Sequence, residues 1–201
     1  MKKAGIVIGM ILLYFVLVFA PNFLGFLSPY LWVYQPILGA FLAATPVLYV
    51  GSKWKKPGVF ALFTVVVVVI FGLMGEISQP EVWAGYAVAV VLAELARGLI
   101  GYDKQMGLRI GYSLNALGMA GSLLPLWTRT SWYYAGAVEE MSDPSYAETL
   151  MKLANPGYLV LLIVLTLVCG YLGCLVSEKI FKEKVTIAKS ANEEAAPSAM
   201  A

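Results

Sequence analysis

The chain has 201 residues, 60% of them hydrophobic and 13% charged, with a mean hydropathy of +0.79 and a net charge of +2. That is more apolar surface than a soluble domain of this length can place in one core, so the chain reads as a bilayer resident with no appended soluble domain. It contains no histidine, which removes the commonest acid–base residue and metal ligand, and its basic residues sit in short juxtamembrane clusters that offer nucleic acid no surface.

Six apolar runs of roughly 17–23 residues have the length that a helix rising about 1.5 Å per residue needs to cross about 30 Å of hydrocarbon. The first, Met1–Ala20, opens with Lys2 and Lys3. It is longer than a secretory signal core, and Pro21 would directly follow the cut, so it reads as a spanning helix. Gly5 and Gly9 lie four apart on it, a spacing that lets a neighbouring helix approach closely, whether inside the protein or on a partner.

A polar-aromatic connection over Pro21–Pro29 leads to the second span, about Tyr30–Gly51, whose Gln35, Gly39, Ala43 and Pro46 share one face predicted to look inward. The loop Ser52–Gly58 holds Lys53, Lys55 and Lys56. The third span, about Gly58–Gly75, includes the β-branched run Val65–Val69, yet a helix is expected because an open strand in lipid leaves its backbone groups unpaired. Residues Glu76–Val82 read as an acidic loop, Trp83–Ile100 as the fourth span, Gly101–Arg109 as a loop and Ile110–Trp127 as the fifth span.

The longest connection, Thr128–Asn155, contains Ser142-Asp143-Pro144, a cap and a first-turn proline, then Tyr146, Leu150 and Leu153 on one face. A short amphipathic helix on the extracellular surface is expected there. The sixth span, Gly157–Ser177, holds both cysteines, Cys169 and Cys174, off a common face, so neither a disulfide nor a metal site is expected. The membrane domain covers residues 1–184, and the polar tail 185–201 reads as cytoplasmic and disordered. With the N-terminus in the cytoplasm, twelve of the fourteen basic residues fall on that side, leaving Arg129 and Lys152 outside. The expected fold is therefore an all-α integral membrane protein of six transmembrane helices with both termini cytoplasmic.

Within this frame three groups of residues invite chemistry. Glu94 and Arg97 share a face of the fourth span and can pair with each other or dock a partner. Gly111, Asn115, Gly118 and Ser122 form a small, polar seam on the fifth, where Asn115 needs a hydrogen-bond partner, internal or from a ligand. At the extracellular ends Gln35, Glu76, Trp83, Tyr86, Trp127, Arg129, Trp132, Tyr133 and Tyr158 gather. These residues offer both an interfacial aromatic belt and the apolar walls with few polar groups that a solute pocket needs. No P-loop, G-x-S-x-G, H-E-x-x-H or carboxylate metal cluster is present, so no catalytic residue, metal or bound cofactor is expected in this chain.

Three stretches, LAELARGLIGYDK, GYSLNALGMAGSLLPLWTRTSWY and EEMSDPSYAETLMKLANPGYLVLLIVLTLVCGYLGCLVSEKIFKEK, resemble the Trep-Strep family of substrate-binding S components of energy-coupling factor (ECF) transporters. The likeness runs over most of the chain and is firmest from Glu94 to Lys184. It implies a six-helix bacterial plasma-membrane protein that captures a small micronutrient from outside. Such a protein docks on a membrane-embedded T protein carrying two cytoplasmic ATPases, which consume the ATP. The resemblance further implies a solute site under the outer loops and a docking face on the first helix. Gly5 and Gly9 here stand where alanines are usual in that face. Two other readings compete: a membrane scaffold or assembly subunit, and an intramembrane lipid-modifying enzyme built on Glu94, Arg97 and Asn115.

Overall fold

A computed structural model describes residues 2–74 and 79–187, with side chains from Ala4 onward, and among these residues it is all helical, with no strand. Ten α-helices follow in order: α1 (Lys2–Phe19), α2 (Pro29–Leu42), α3 (Ala44–Gly51), α4 (Val59–Leu73), α5 (Pro80–Ile100), α6 (Gln105–Gly121), α7 (Pro125–Thr128), α8 (Thr130–Met141), α9 (Pro144–Leu153) and α10 (Pro156–Phe181). Four stretches are long and apolar enough to cross a membrane: Ala4–Leu27, Pro29–Gly51, Pro80–Ile100 and Pro156–Lys184. Val59–Leu73 is apolar but shorter. α6 has seventeen residues and is largely buried within the protein, which is why its composition is smaller and more polar.

Prolines and glycines set several boundaries away from those expected. The second span breaks at Ala43, because Pro46 has no N–H for the Leu42 carbonyl and its ring crowds that group. Ser28 caps α2, and the preceding connection is itself helical, a 3₁₀ turn over Ala20–Leu27. Pro80 opens α5 at its first turn, so Glu81 and Val82 belong to a helix and not to an acidic loop. α6 begins at Gln105, and Gly101, at φ +123°, makes the tight reversal that shortens the expected loop. The fifth run ends early, at Gly121, and restarts as the single turn α7 at Pro125.

The amphipathic helix expected after Asp143 is α9, with Asp143 accepting from Ser145 N at 2.8 Å. α8, which precedes it, was not anticipated. The domain also runs past Lys184. α10 ends at Phe181, the next residue Lys182 is held at φ 44°, and Val185, 1% exposed, folds back into the core, where Ile187 N donates to Gln105 Oε1 at 2.9 Å. Val185 and Ile187 are apolar, and burying them outweighs leaving the chain extended.

The bundle has two distinct ends. At one, the α3–α4 loop, the α5–α6 loop and the chain after α10 meet: Lys53 Nζ donates to Lys184 O at 2.7 Å, and Arg109 of α6 pairs with Glu178 of α10, with its Nε 2.8 Å from Oε1. Arg97, in the last turn of α5, is fully buried there. Its Nη2 lies 2.8 Å from Gly51 O, 2.9 Å from Trp54 O and 3.4 Å from Tyr102 O, and its guanidinium stands over the rings of Phe60 and Tyr102. One turn earlier, Glu94 Oε1 accepts from Gly58 N at 3.0 Å and Phe60 N at 3.1 Å, capping the start of α4. At the opposite end the α1–α2 turn, the start of α5 and the α7–α9 segment meet.

The α5–α6 hairpin is the most extensive helix pairing among the described residues. A Cβ on Gly85 would stand 2.8 Å from Gly121 Cα, and one on Gly111 would stand 2.5 Å from the Phe60 ring, so these positions take no side chain. Deleting a buried charge that ties three carbonyls together costs about 3 kcal/mol or more, whereas losing one helix cap costs about 1 kcal/mol. Arg97→Leu is therefore expected to lower the melting temperature in detergent well beyond Glu94→Gln. Equal melting temperatures for the two variants would contradict this ranking.

Candidate functional site

At the end opposite the basic cluster lies a cavity of about 560 Å³. Its floor and one side come from the phenylalanines at the end of α1 and in the following turn: Phe19, Phe23 and Phe26, spaced four and three apart and therefore on one face. Phe71 and Met74 close it from α4, Val82 from α5, and Ser122 with Leu123 from the end of α6. α8 and α9 form the remaining wall through Trp132, Tyr133, Glu140 and Tyr146, folded against each other by the left-handed turn at Ser142, φ 52°. A volume of this size suits a drug-sized organic molecule.

Direct bonds between distant parts of the chain hold the walls. Trp32 Nε1 donates to Tyr133 Oη at 2.5 Å, joining α2 to α8. Tyr146 Oη donates to Gly25 O at 2.6 Å, joining α9 to the α1–α2 turn. Gly25 also lies under the Trp32 ring, where any Cβ would come within 2.2 Å of a ring carbon. Gln35, 7% exposed, donates through Nε2 to Asn22 Oδ1 at 2.5 Å, and Asn22 in turn donates to Phe19 O at 2.9 Å. This amide pair is a fixed polar spot on a wall that is otherwise mostly ring.

Of the residues expected to form the solute site, Gln35, Trp132 and Tyr133 line the cavity. Glu76 lies outside the described residues. Arg129 stands behind the wall: its Nε is 2.8 Å from Glu81 Oε1, and its guanidinium sits 4.5 Å from the Trp132 ring centre. Trp83 packs on Gly72, and Tyr86 is buried against Gly118 and Phe71. Trp127 donates to Asn155 O at 3.0 Å, and Tyr158 follows the Asn155 cap of α10 without reaching the cavity wall. Asn115 sits deep in the bundle, where its Oδ1 accepts from Thr64 Oγ1 at 3.1 Å.

The expected docking residues divide in the same way. Gly5 and Gly9 are exposed with open space where a Cβ would stand. Glu94 and Arg97 form no ion pair with each other among the described residues, and the contacts described above point inward. Arg97 is enclosed, with its guanidinium bonded to three backbone carbonyls. Reading the sequence alone also missed Phe19, Asn22, Phe23, Phe26, Glu140 and Tyr146. The 4,3 spacing of the phenylalanines was a usable sign of a shared face. Nothing local marked Glu140, which reaches the wall only through the α8–α9 fold.

Two outcomes follow from this placement. Trp132 is 48% exposed, so Trp132→Ala is expected to leave the melting temperature unchanged, whereas Arg129→Ala, which strips Glu81 of its counter-ion, lowers it. The reverse order in a thermal-shift measurement would contradict the wall assignment. Hydrogen bonds from Ser145 hold the Asp143 carboxyl below the ordinary carboxylate range. With the folded value depressed, the cap's contribution is fully present above the ordinary carboxylate range and is lost as pH falls from there through the folded value. The protection factors of the amides over residues 144–153, which divide out the intrinsic slowing of exchange in acid, should therefore fall on acidification in the native protein, and Asp143→Asn should remove that fall.

Comparison with known proteins gives one match: residues 3–184 fit the family described as "Hypothetical bacterial integral membrane protein (Trep_Strep)". No curated protein and no solved structure matches the chain. The match takes in nearly the whole described structure, from α1 through the turn after α10, and agrees with its long apolar helices in making this a multi-pass protein of the bacterial cell membrane. The chain belongs to the Trep_Strep family of bacterial integral membrane proteins.

Proposed function

We propose that the chain is the substrate-binding S component of an ECF-type importer, capturing a small micronutrient in the cavity and docking on a T protein with two cytoplasmic ATPases. In this reading the chain crosses the membrane six times with both termini cytoplasmic, and it performs no catalysis and holds no cofactor. ATP is used by the partners.

The observation that carries the proposal is the separation of two features along the bundle. A walled cavity occupies one end, while the bare glycine face of α1 begins at the other. The orientation is supported by the meeting of the basic loops at the end away from the cavity, which the positive-inside rule assigns to the cytoplasm. The cavity then opens to the outside. A capture subunit needs this arrangement, since solute must enter from one side while the ATPases act from the other. The engagement of Glu94, Arg97 and Asn115 in internal hydrogen bonds speaks against a lipid-modifying centre built on them.

The test uses Gly9. In a bilayer, helix association depends on close backbone approach and van der Waals packing, because lipid is as apolar as the side chains. Gly9→Leu adds a side chain into open space, so the melting temperature is expected to stay unchanged, while co-purification with the T protein and solute uptake are lost. Normal pull-down together with normal uptake would remove the docking assignment, and a fall in melting temperature would place Gly9 in internal packing.

A further inference from the structure

We infer that the cavity takes an organic cation, one with a flat aromatic ring or a quaternary nitrogen, and discriminates against carboxylates and phosphates. The inference rests on the importer reading only in calling that ligand a transported solute; the charge preference stands on the cavity itself.

The first observation is the wall. Phe19, Phe23, Phe26, Phe71, Trp32 and Trp132 present aromatic rings to one space. Ring faces carry negative quadrupole density, so rings that turn their faces to this space attract a cation and repel an anion. Neighbouring rings contact each other, Phe19 with Phe23 at 5.7 Å and Phe23 with Phe26 at 6.4 Å between centres, so the surface is continuous.

The second observation is the charge inventory. The described wall has one ionisable charge of either sign at neutral pH, the Glu140 carboxylate of α8, and no lysine or arginine. Two bases occur at this end of the protein. Arg129 stands behind the wall against Glu81, and Lys152 is on the exposed side of α9. Set against them among the described residues are the carboxylates Glu81, Glu139, Glu140, Asp143 and Glu148. The cavity end is therefore a negative surface, and the opposite end a positive one. Such a field draws cations towards the mouth and repels anions before they reach it. The Gln35 amide oxygen and the lone pairs of the Ser122 hydroxyl, whose proton goes to Met119 O, are neutral acceptors for an N–H on a polar ring edge.

Three probes of like shape separate the possibilities: N-methylquinolinium, quinoline and quinoline-2-carboxylate, cationic, neutral and anionic at pH 7.5. Their binding to the full chain in lipid nanodiscs is measured by equilibrium dialysis. The cation is expected to bind about tenfold more tightly than the neutral ring, with the carboxylate weakest. Glu140 is exposed and holds no structural bond in the described protein, so its replacement leaves the fold intact. Glu140→Gln should remove most of the cation's advantage, and Glu140→Lys should move the preference towards the carboxylate. Equal or tighter binding of the carboxylate to the unaltered protein, an order unmoved by Glu140→Lys, or no binding of any probe overturns the inference. T-protein co-purification is scored on the same preparations. Its absence alongside a clear cation preference counts against the importer reading alone, and its presence alongside an anion preference counts against the charge inference alone.

Discussion

The contact between Gly85 and Gly121 constrains the rest of the molecule, because it lets the backbones of α5 and α6 touch. Packing at this distance gains dispersion energy along the whole hairpin, which in lipid replaces the missing hydrophobic drive. It also fixes where the chain leaves α6. Ser122 and Leu123 follow Gly121 directly and lie on the cavity wall, and Pro125 then turns the chain into α7, α8 and α9. The cavity is thus built outward from a backbone contact. Phe60 and Tyr86 fill the spaces that Gly111 and Gly118 leave open, so α4 and α5 lock to the same seam.

The other end is held by charge. Arg97 and Glu94 act one turn apart on α5, the first gathering carbonyls from two loops and the second receiving the free N–H groups that begin α4. The two are complementary: a helix start carries partial positive charge and a chain of carbonyls partial negative charge. Each ion is thereby held by backbone dipoles and not by a hydrogen bond to the other, while Glu94 Oε2 and Arg97 Nε and Nη1 stay buried without a hydrogen-bond partner. Arg109, Glu178 and Gln105 extend the network to α10 and to the returning chain at Val185 and Ile187. The lysines that remain exposed give this end its positive surface, and the carboxylates of α8 and α9 give the cavity end the opposite sign.

Membrane residence, the helical class and the family were all legible in the chain itself. Apolar run length has one structural solution in lipid, the helix, so composition alone excluded strands even over Val65–Val69. The inward face of α2, with Gln35, Gly39 and Ala43, was visible from its spacing, and the cap at Asp143 named α9. Boundaries were less legible because they depend on single residues read in context. Pro80 and Pro125 each start a helix, and Pro46 bends one. The same residue type gives opposite local outcomes according to what precedes it.

The site divides along the same line. Sequence placed polar and aromatic residues at one end of the bundle, and three of them, Gln35, Trp132 and Tyr133, do line the cavity. It could not separate them from Trp83, Tyr86, Trp127 and Tyr158, because an aromatic at the membrane interface has the same local signature whether it faces lipid, a neighbouring helix or a solute. That choice is made by the rotation of each helix, which packing against the others sets. Hydropathy and charge therefore determined that the chain is a helical membrane protein with a basic end and an acidic one. Only the tertiary structure decided which rings enclose a space, because enclosure arises where α1, α2, α4 and the α8–α9 pair converge, and their contacts lie up to 121 positions apart in the chain.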